Sequence, residues 1–138
     1  MAALTSLEAP YDAVVIGASG GIGSAFCQLL AQDEGIGTVI ALSRSGNGPE
    51  HRNIMHTRID LVSEESVKLV AARAAELPNL RLVIVATGLL HDGDEVQPEK
   101  ALRKLDPDMM ARSFAVNTIG PALVMKHFVP LLPRNGKA

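Results

Sequence analysis

The run Gly17-Ala18-Ser19-Gly20-Gly21-Ile22-Gly23 constrains this chain more than any other feature, because of what stands on either side of it. The short apolar stretch Ala13-Val14-Val15-Ile16 precedes it, and Ile22, Ala25, Phe26, Leu29 and Leu30 follow at i, i+3, i+4, i+7 and i+8, the spacing of one helix face. A strand that ends in a glycine-rich turn and feeds a helix aims unpaired backbone N–H groups, and the positive end of the helix dipole, at any anion placed there. A pyrophosphate meets that description. Gly17, Gly21 and Gly23 are spaced G-x-x-x-G-x-G, a variant of the G-x-G-x-x-G dinucleotide turn, so they and the intervening Ser19, Gly20 and Ile22 are candidate cofactor contacts.

The rest of the chain repeats the alternation of strand and helix. Thr38 to Leu42, Ile54 to Ile59 and Leu80 to Ala86 are short and rich in β-branched residues, as strands covered on both faces are. Gly35 is placed to close the first helix. Ser63 can cap a second helix that carries Glu64 and Glu65 in its first turn, presents Val67, Val70, Ala71 and Ala74 to the sheet, and stops at Pro78. Between Leu42 and Ile54 the sequence Ser45-Gly46-Asn47-Gly48-Pro49 reads as loop. A last helical segment opens at Asp106-Pro107, cap then N1 proline, and runs through Met110, Phe114 and Val116 towards Pro130.

Right-handed crossovers place the four strands in the order 3-2-1-4, half of a doubly wound, three-layer α/β Rossmann sheet in one domain over residues 1–138. The crevice at the carboxyl ends of the strands is then lined by four loops: the glycine turn, Ser43-Arg44-Ser45, Asp60-Leu61 and Ala86-Thr87-Gly88.

Composition excludes several classes. A net charge of −2 without a basic stripe gives no field for nucleic acid, and no apolar stretch is long enough to cross a bilayer. Cys27 is the single cysteine, which rules out an internal disulfide framework and points to a reducing cytoplasm. It stands beside Phe26 with no nearby cation in sequence, and reads as a buried filler rather than a nucleophile. His51, His56, His91 and His127 have no metal-ligand spacing, so no metal is expected.

With these residues in place the chain resembles the short-chain dehydrogenase/reductase family from Asp12 to Lys137. Gly17, Gly21 and Gly23 match the family's cofactor turn, Asp60-Leu61 its adenine-contacting acidic position, Ala86-Thr87-Gly88 its turn after strand 4, and Asn117 in Val116-Asn117-Thr118 its active-site asparagine. Leu90-His91-Asp92-Gly93, Pro98-Glu99-Lys100 and the segment from Phe114 to Pro121 look like the C-factor-type branch, named for a bacterial cell–cell signalling protein. Val85 and Ala86 depart from the family, which often carries two asparagines there.

The resemblance implies a nicotinamide cofactor. Arg44 stands where NADP-preferring members carry a cation and Ser43 where NAD-preferring members carry an acid, so NADP is expected over NAD. Asp60 has a second reading, as the cap of the following turn. The implied chemistry is hydride transfer to a small carbonyl substrate or from an alcohol, with a serine and a Tyr-x-x-x-Lys pair handling the substrate oxygen.

No Tyr-x-x-x-Lys exists in these 138 residues; the single tyrosine, Tyr11, has Val15 four positions on. The expectation is therefore an amino-terminal part of such an oxidoreductase, inactive alone. The alternative is a non-catalytic nucleotide-binding or signalling module working by association.

Asn117 also has a local argument. In an α-helix its carbonyl would face the N–H of residue 121, which is Pro121 and has none, so a kink and a freed carbonyl are expected near the crevice. In the family the equivalent carbonyl holds a water linked to the catalytic lysine. The helix of this position also builds a dimer interface in the family, which implies a homo-oligomer through Asp106 to Leu132, with Leu123, Val124, Phe128, Leu131 and Leu132 short of packing partners.

Overall fold

In the computed structural model, which describes residues 4–90, 99–134 and 138, the chain alternates strand and helix as its apolar periodicity requires. The first strand, β1 (Tyr11–Ile16), runs into the glycine turn and helix α1 (Gly21–Ala31); β2 (Ile36–Ser43), β3 (Ile54–Arg58), α2 (Glu64–Ala74) and β4 (Leu80–Val85) follow. After a short 3-10 turn (Leu102–Lys104) come α3 (Pro107–Phe114), a π-helical stretch (Ala115–Ile119) and α4 (Gly120–Phe128), which ends in a second 3-10 turn (Val129–Leu131).

The four strands are parallel and ordered β3-β2-β1-β4, the expected order. Val14 pairs with Ile40 on one side and Val83 on the other, so β1 is central. Alternation along β1 and β2 then divides the core into two faces. Val14, Ile16, Ile40 and Leu42 pack with Val67, Val70, Ala71 and Ala74 of α2 and Val124 and Phe128 of α4. Ala13, Val15, Val39 and Ala41 pack with Cys27, Leu30 and Ala31 of α1. These are the three layers of a Rossmann unit, with fewer strands than a complete doubly wound sheet.

The second helix follows its sequence signals closely. Ser63 Oγ accepts from the Ser66 N–H at 3.3 Å, the acids sit in the first turn, and the four buried residues are those that the spacing selects. Glu64 also ties α2 to α4, receiving Lys126 Nζ at 2.6 Å and His127 Nε2 at 2.9 Å. Those contacts, with Lys126 first, hold its carboxyl below the usual range.

Three expectations need correction. The first helix closes at Ala31 with Gln32 as cap, four residues before Gly35, whose N–H is taken by Asp33 Oδ1 at 2.7 Å. Its buried face is Gly23, Cys27, Leu30 and Ala31, while Ile22, Phe26 and Leu29 stand 70%, 40% and 51% exposed. Gly23 is on that face because α1 seats tightly on the turn before it: a Cβ there would run into the Gly17 carbonyl. Finally, Val124 and Phe128 are fully buried, and Leu123, Leu131 and Leu132 pack half-buried beside them. The exposed large apolar residues of this segment are Met110, Phe114, Ile119, Met125 and Val129 instead.

The last helix bends around Pro121 by changing its period. Asp106 caps it, accepting from the Asp108 and Met109 N–H groups, with Pro107 at N1. Over Ala115–Ile119 the pairing becomes i to i+5, as in the Gly120 N–H donating to the Ala115 carbonyl. A π-helical stretch thus stands just before Pro121, where a kinked α-helix was expected. Gly120 packs closely there: a Cβ would stand 3.0 Å from that of Leu61, which would have to give by a few tenths of an ångström.

Candidate functional site

At the carboxyl ends of the strands lies an open crevice of about 240 Å³, lined by all four of the loops that the sequence brings to this rim. The glycine turn forms one wall. The N–H groups of Gly17 and Ala18 donate to the Leu42 carbonyl at 2.8 and 2.9 Å, which pins the turn to β2, and the Gly20 N–H closes it on the Gly17 carbonyl at 3.0 Å. The N–H groups of Ser19, Gly21, Ile22 and Gly23 have no partner among the described residues. They are the unpaired donors at the start of α1, carrying the partial positive charge of its dipole.

The glycines have distinct duties. Gly17 sits at φ +95°, and a Cβ on it would come within 2.6 Å of the Ala86 carbonyl oxygen, so it lets the first loop touch the fourth. Gly23 lets α1 seat on the turn. A Cβ on Gly21 would meet nothing within 4 Å, so neither its backbone conformation nor its neighbours require a glycine. A ligand approaching the backbone closely is what that open space fits.

The second loop is built around Ser43, whose hydroxyl donates to the Asn47 carbonyl at 2.8 Å, with Gly46 at φ +75° completing the turn. That hydroxyl is thereby engaged, and Arg44 stands exposed in the lining. In the third loop Asp60 lines the crevice and also caps its own turn, Oδ1 accepting from the Val62 N–H at 3.1 Å. The capping of its own turn is thus present, beside its place in the lining. Leu61 reaches the lining but is 7% exposed and belongs mainly to the core.

Ala86, Thr87 and Gly88 form the fourth wall, and Thr87 Oγ1 is buried with no hydrogen-bond partner among the described residues. Asn117 is outside the lining but holds that wall: its Oδ1 accepts from the Leu89 N–H at 2.7 Å and its Nδ2 donates to the Leu89 carbonyl at 2.8 Å and to Ser113 Oγ at 3.2 Å.

The structure thus brings Gly17, Ser19, Gly20, Arg44, Asp60, Leu61, Ala86, Thr87 and Gly88 together around the crevice. Gly21, Ile22 and Gly23 stand just behind, at the helix start. Sequence reasoning missed Arg112 and Val116, which complete the lining from the last helix. Their i, i+4 spacing ahead of Asn117 was the available signal.

Among the described residues no group of three or more His, Cys, Asp and Glu could hold a metal, and no helix is long and apolar enough to cross a membrane. The residues His91 to Pro98, part of the C-factor-like resemblance, lie outside the described residues.

The family model for short chain dehydrogenase matches residues 12–138, nearly the whole chain. The chain belongs to the short-chain dehydrogenase family. Among solved structures, a short-chain dehydrogenase from Burkholderia cenocepacia J2315 in complex with NADP is 27% identical at a TM-score of 0.76, covering 94% of this chain and 51% of that one. NADPH-bound carbonyl reductase from chicken fatty liver is 23% identical at a TM-score of 0.75, with coverage of 92% and 50%. Ligand-free aldohexose dehydrogenase of Thermoplasma acidophilum shares the fold at 22% identity and a TM-score of 0.72, covering 90% of this chain and 45% of that one. This short-chain dehydrogenase chain spans about half the length of the structures it matches. No curated protein matches it in sequence.

Proposed function

We propose that the crevice binds NADP, with the pyrophosphate on the start of α1, and that the parent activity is hydride transfer between the nicotinamide and a small carbonyl or alcohol substrate. One observation carries the reading: four unpaired N–H groups at a helix start border a crevice that Arg44 also lines. The NADP held by the B. cenocepacia short-chain dehydrogenase and the NADPH held by the chicken carbonyl reductase support the same cofactor class.

Bound NADP supplies the hydride-carrying nicotinamide. The residues of this chain bind and orient it. The Ser19, Gly21, Ile22 and Gly23 N–H groups hold the diphosphate, Arg44 meets the ribose 2′-phosphate through its guanidinium fork, and Thr87 Oγ1 gains a partner from the ligand. The side chain of Asn117 positions the Ala86 to Leu89 wall. NADPH and NADH affinities before and after Arg44→Asp test the phosphate contact. The wild-type protein favours NADPH and the variant loses that preference; an unchanged preference overturns it.

A second reading, binding without chemistry, is favoured by the position of Tyr11. The only tyrosine lies at the start of β1, at the far end of the strand from the crevice, 1% exposed. Burial, with the Asp33 carboxylate beside it, raises its hydroxyl to about 12. NADPH oxidation with generic carbonyl compounds separates the two readings. Turnover that Asn117→Ala abolishes supports the enzyme, and tight binding without turnover supports the module.

A further inference from the structure

We propose that β3 is a docking edge for an extended acidic peptide of another protein, which pairs with the backbone of His56 and Arg58 and sets its carboxylates beside their side chains. β3 is an edge of the sheet because it pairs with β2 alone. In a parallel ladder alternate residues turn both backbone groups to the same side. The Asn53 carbonyl accepts from the Val39 N–H at 2.8 Å and the Ile59 N–H donates to the Ser43 carbonyl at 3.0 Å, so residues 53, 55, 57 and 59 face β2 and residues 54, 56, 58 and 60 face outward. The chain itself closes the outward row at both ends: the Ile54 N–H donates to the His51 carbonyl at 3.0 Å, and the Asp60 N–H to Ser66 Oγ at 2.9 Å. Between those ends the N–H and carbonyl groups of His56 and Arg58 stay open among the described residues. Such a row is what an added strand pairs with.

The side chains select the kind of strand. His56 and Arg58 share one face of β3 and are both exposed, as are His51 and Arg52 in the turn that leads into it. Over residues 43–59 a chain of net charge −2 gathers three arginines and two histidines against one carboxylate, Glu50. Arg52 and Arg58 make no ion pair among the described residues. That charge repels a second copy of the same edge and attracts carboxylates. On the other face of the strand Met55 is 60% exposed, so apolar residues suit the positions between the acids. Glu50, His51, Ile54 and His56 line an open depression beside the strand, with room for a peptide side chain. A nucleic acid matches the charge but has no row of N–H groups for the His56 and Arg58 carbonyls. None of these residues lines the crevice, so the inference is independent of the nucleotide reading.

The test uses the full chain and a short fluorescent peptide that alternates glutamate with valine, with binding read by anisotropy and amide hydrogen exchange by NMR. Saturable binding is expected to slow exchange of the His56 and Arg58 amides, while those of Met55 and Thr57, already bonded to β2, keep their rates. Arg58→Glu is expected to weaken binding roughly tenfold, and Arg52→Glu, outside the strand, serves if the first variant fails to fold. The same peptide with lysine for glutamate should not bind. A peptide of equal charge with proline for valine lacks the N–H groups that the edge needs. Equally tight binding of that peptide, or of an oligonucleotide, means attraction by charge alone and overturns the docking strand. No saturable binding by the folded wild type, unprotected His56 and Arg58 amides in the complex, or wild-type affinity in the charge-reversed protein overturns it as well.

Discussion

Asn117 grips Leu89 by both of its backbone groups: the side-chain amide accepts from the Leu89 N–H at 2.7 Å and donates to the Leu89 carbonyl at 2.8 Å. The π-helical stretch of the last helix and the loop after β4 are therefore one unit, with Ser113 Oγ fixing the amide's orientation from 3.2 Å. Asn117→Asp keeps the acceptor but replaces the donor with a second oxygen facing the Leu89 carbonyl. It is expected to lower stability by about 1–3 kcal/mol and to weaken NADPH binding through the displaced wall. Urea denaturation and calorimetry check this; wild-type values in both contradict the positioning role.

Gly21 and Gly23 are two residues apart and should fail in opposite ways. Gly23→Ala forces a methyl into the Gly17 carbonyl, and a loss of more than about 2 kcal/mol is expected from backbone that must move. Gly21→Ala meets nothing within 4 Å and should leave the denaturation midpoint unchanged or slightly raised, while blocking the diphosphate. A Gly21→Ala protein that binds NADPH as well as the wild type contradicts the proposed ligand position.

Alkaline pH should act through two buried groups. Burial pushes the Cys27 thiol from 9.0 up to about 11, and burial with the Asp33 carboxylate pushes Tyr11 from 10.0 up to about 12. In each case the folded state holds its proton more tightly than the unfolded state. The stabilisation is fully present below pH 9 and is lost as pH rises towards 12. Urea midpoints measured from pH 8 to 11 should fall for the wild type and fall less between pH 9 and 11 for Cys27→Ala. Cys27, 0% exposed, should also react with a thiol reagent only on unfolding.

Phe114, Ile119, Met125 and Val129 stand 57%, 53%, 60% and 57% exposed along the last helical segment. Four large apolar side chains in one segment favour self-association, and sedimentation velocity of the wild type should show a dimer that Met125→Asp dissociates. A monomer at high protein concentration contradicts the homo-oligomer.

Much of this architecture was legible because its signals are local. Ser63, the two following acids and the 67, 70, 71, 74 spacing define α2 without reference to the sheet, and the β-branched runs define four strands whose order follows from handedness. The face of α1 was not legible. Hydrophobicity selects Ile22, Phe26, Leu29 and Leu30, but of these only Leu30 is buried; Gly23, Cys27 and Ala31 join it because of how α1 seats on the turn and the sheet, a matter of tertiary distance that no residue in α1 encodes alone. The π-helical stretch was half legible: Pro121 announces a break in α pairing, yet whether a helix kinks or widens depends on what packs beside it, here Leu61 against Gly120. Arg112 was hidden for the same reason, since a charged helix residue reads as solvated until the crevice beside it exists.

The central claim is that the start of α1 holds a diphosphate through its main-chain amides, and amide NMR of the labelled chain titrated with NADP tests it most directly. The account predicts large, saturable shifts at Ser19, Gly21, Ile22 and Gly23, with small ones at Tyr11 and Leu80 at the other end of the sheet. Saturating NADP that leaves those four amides where they stand in the free protein would contradict it.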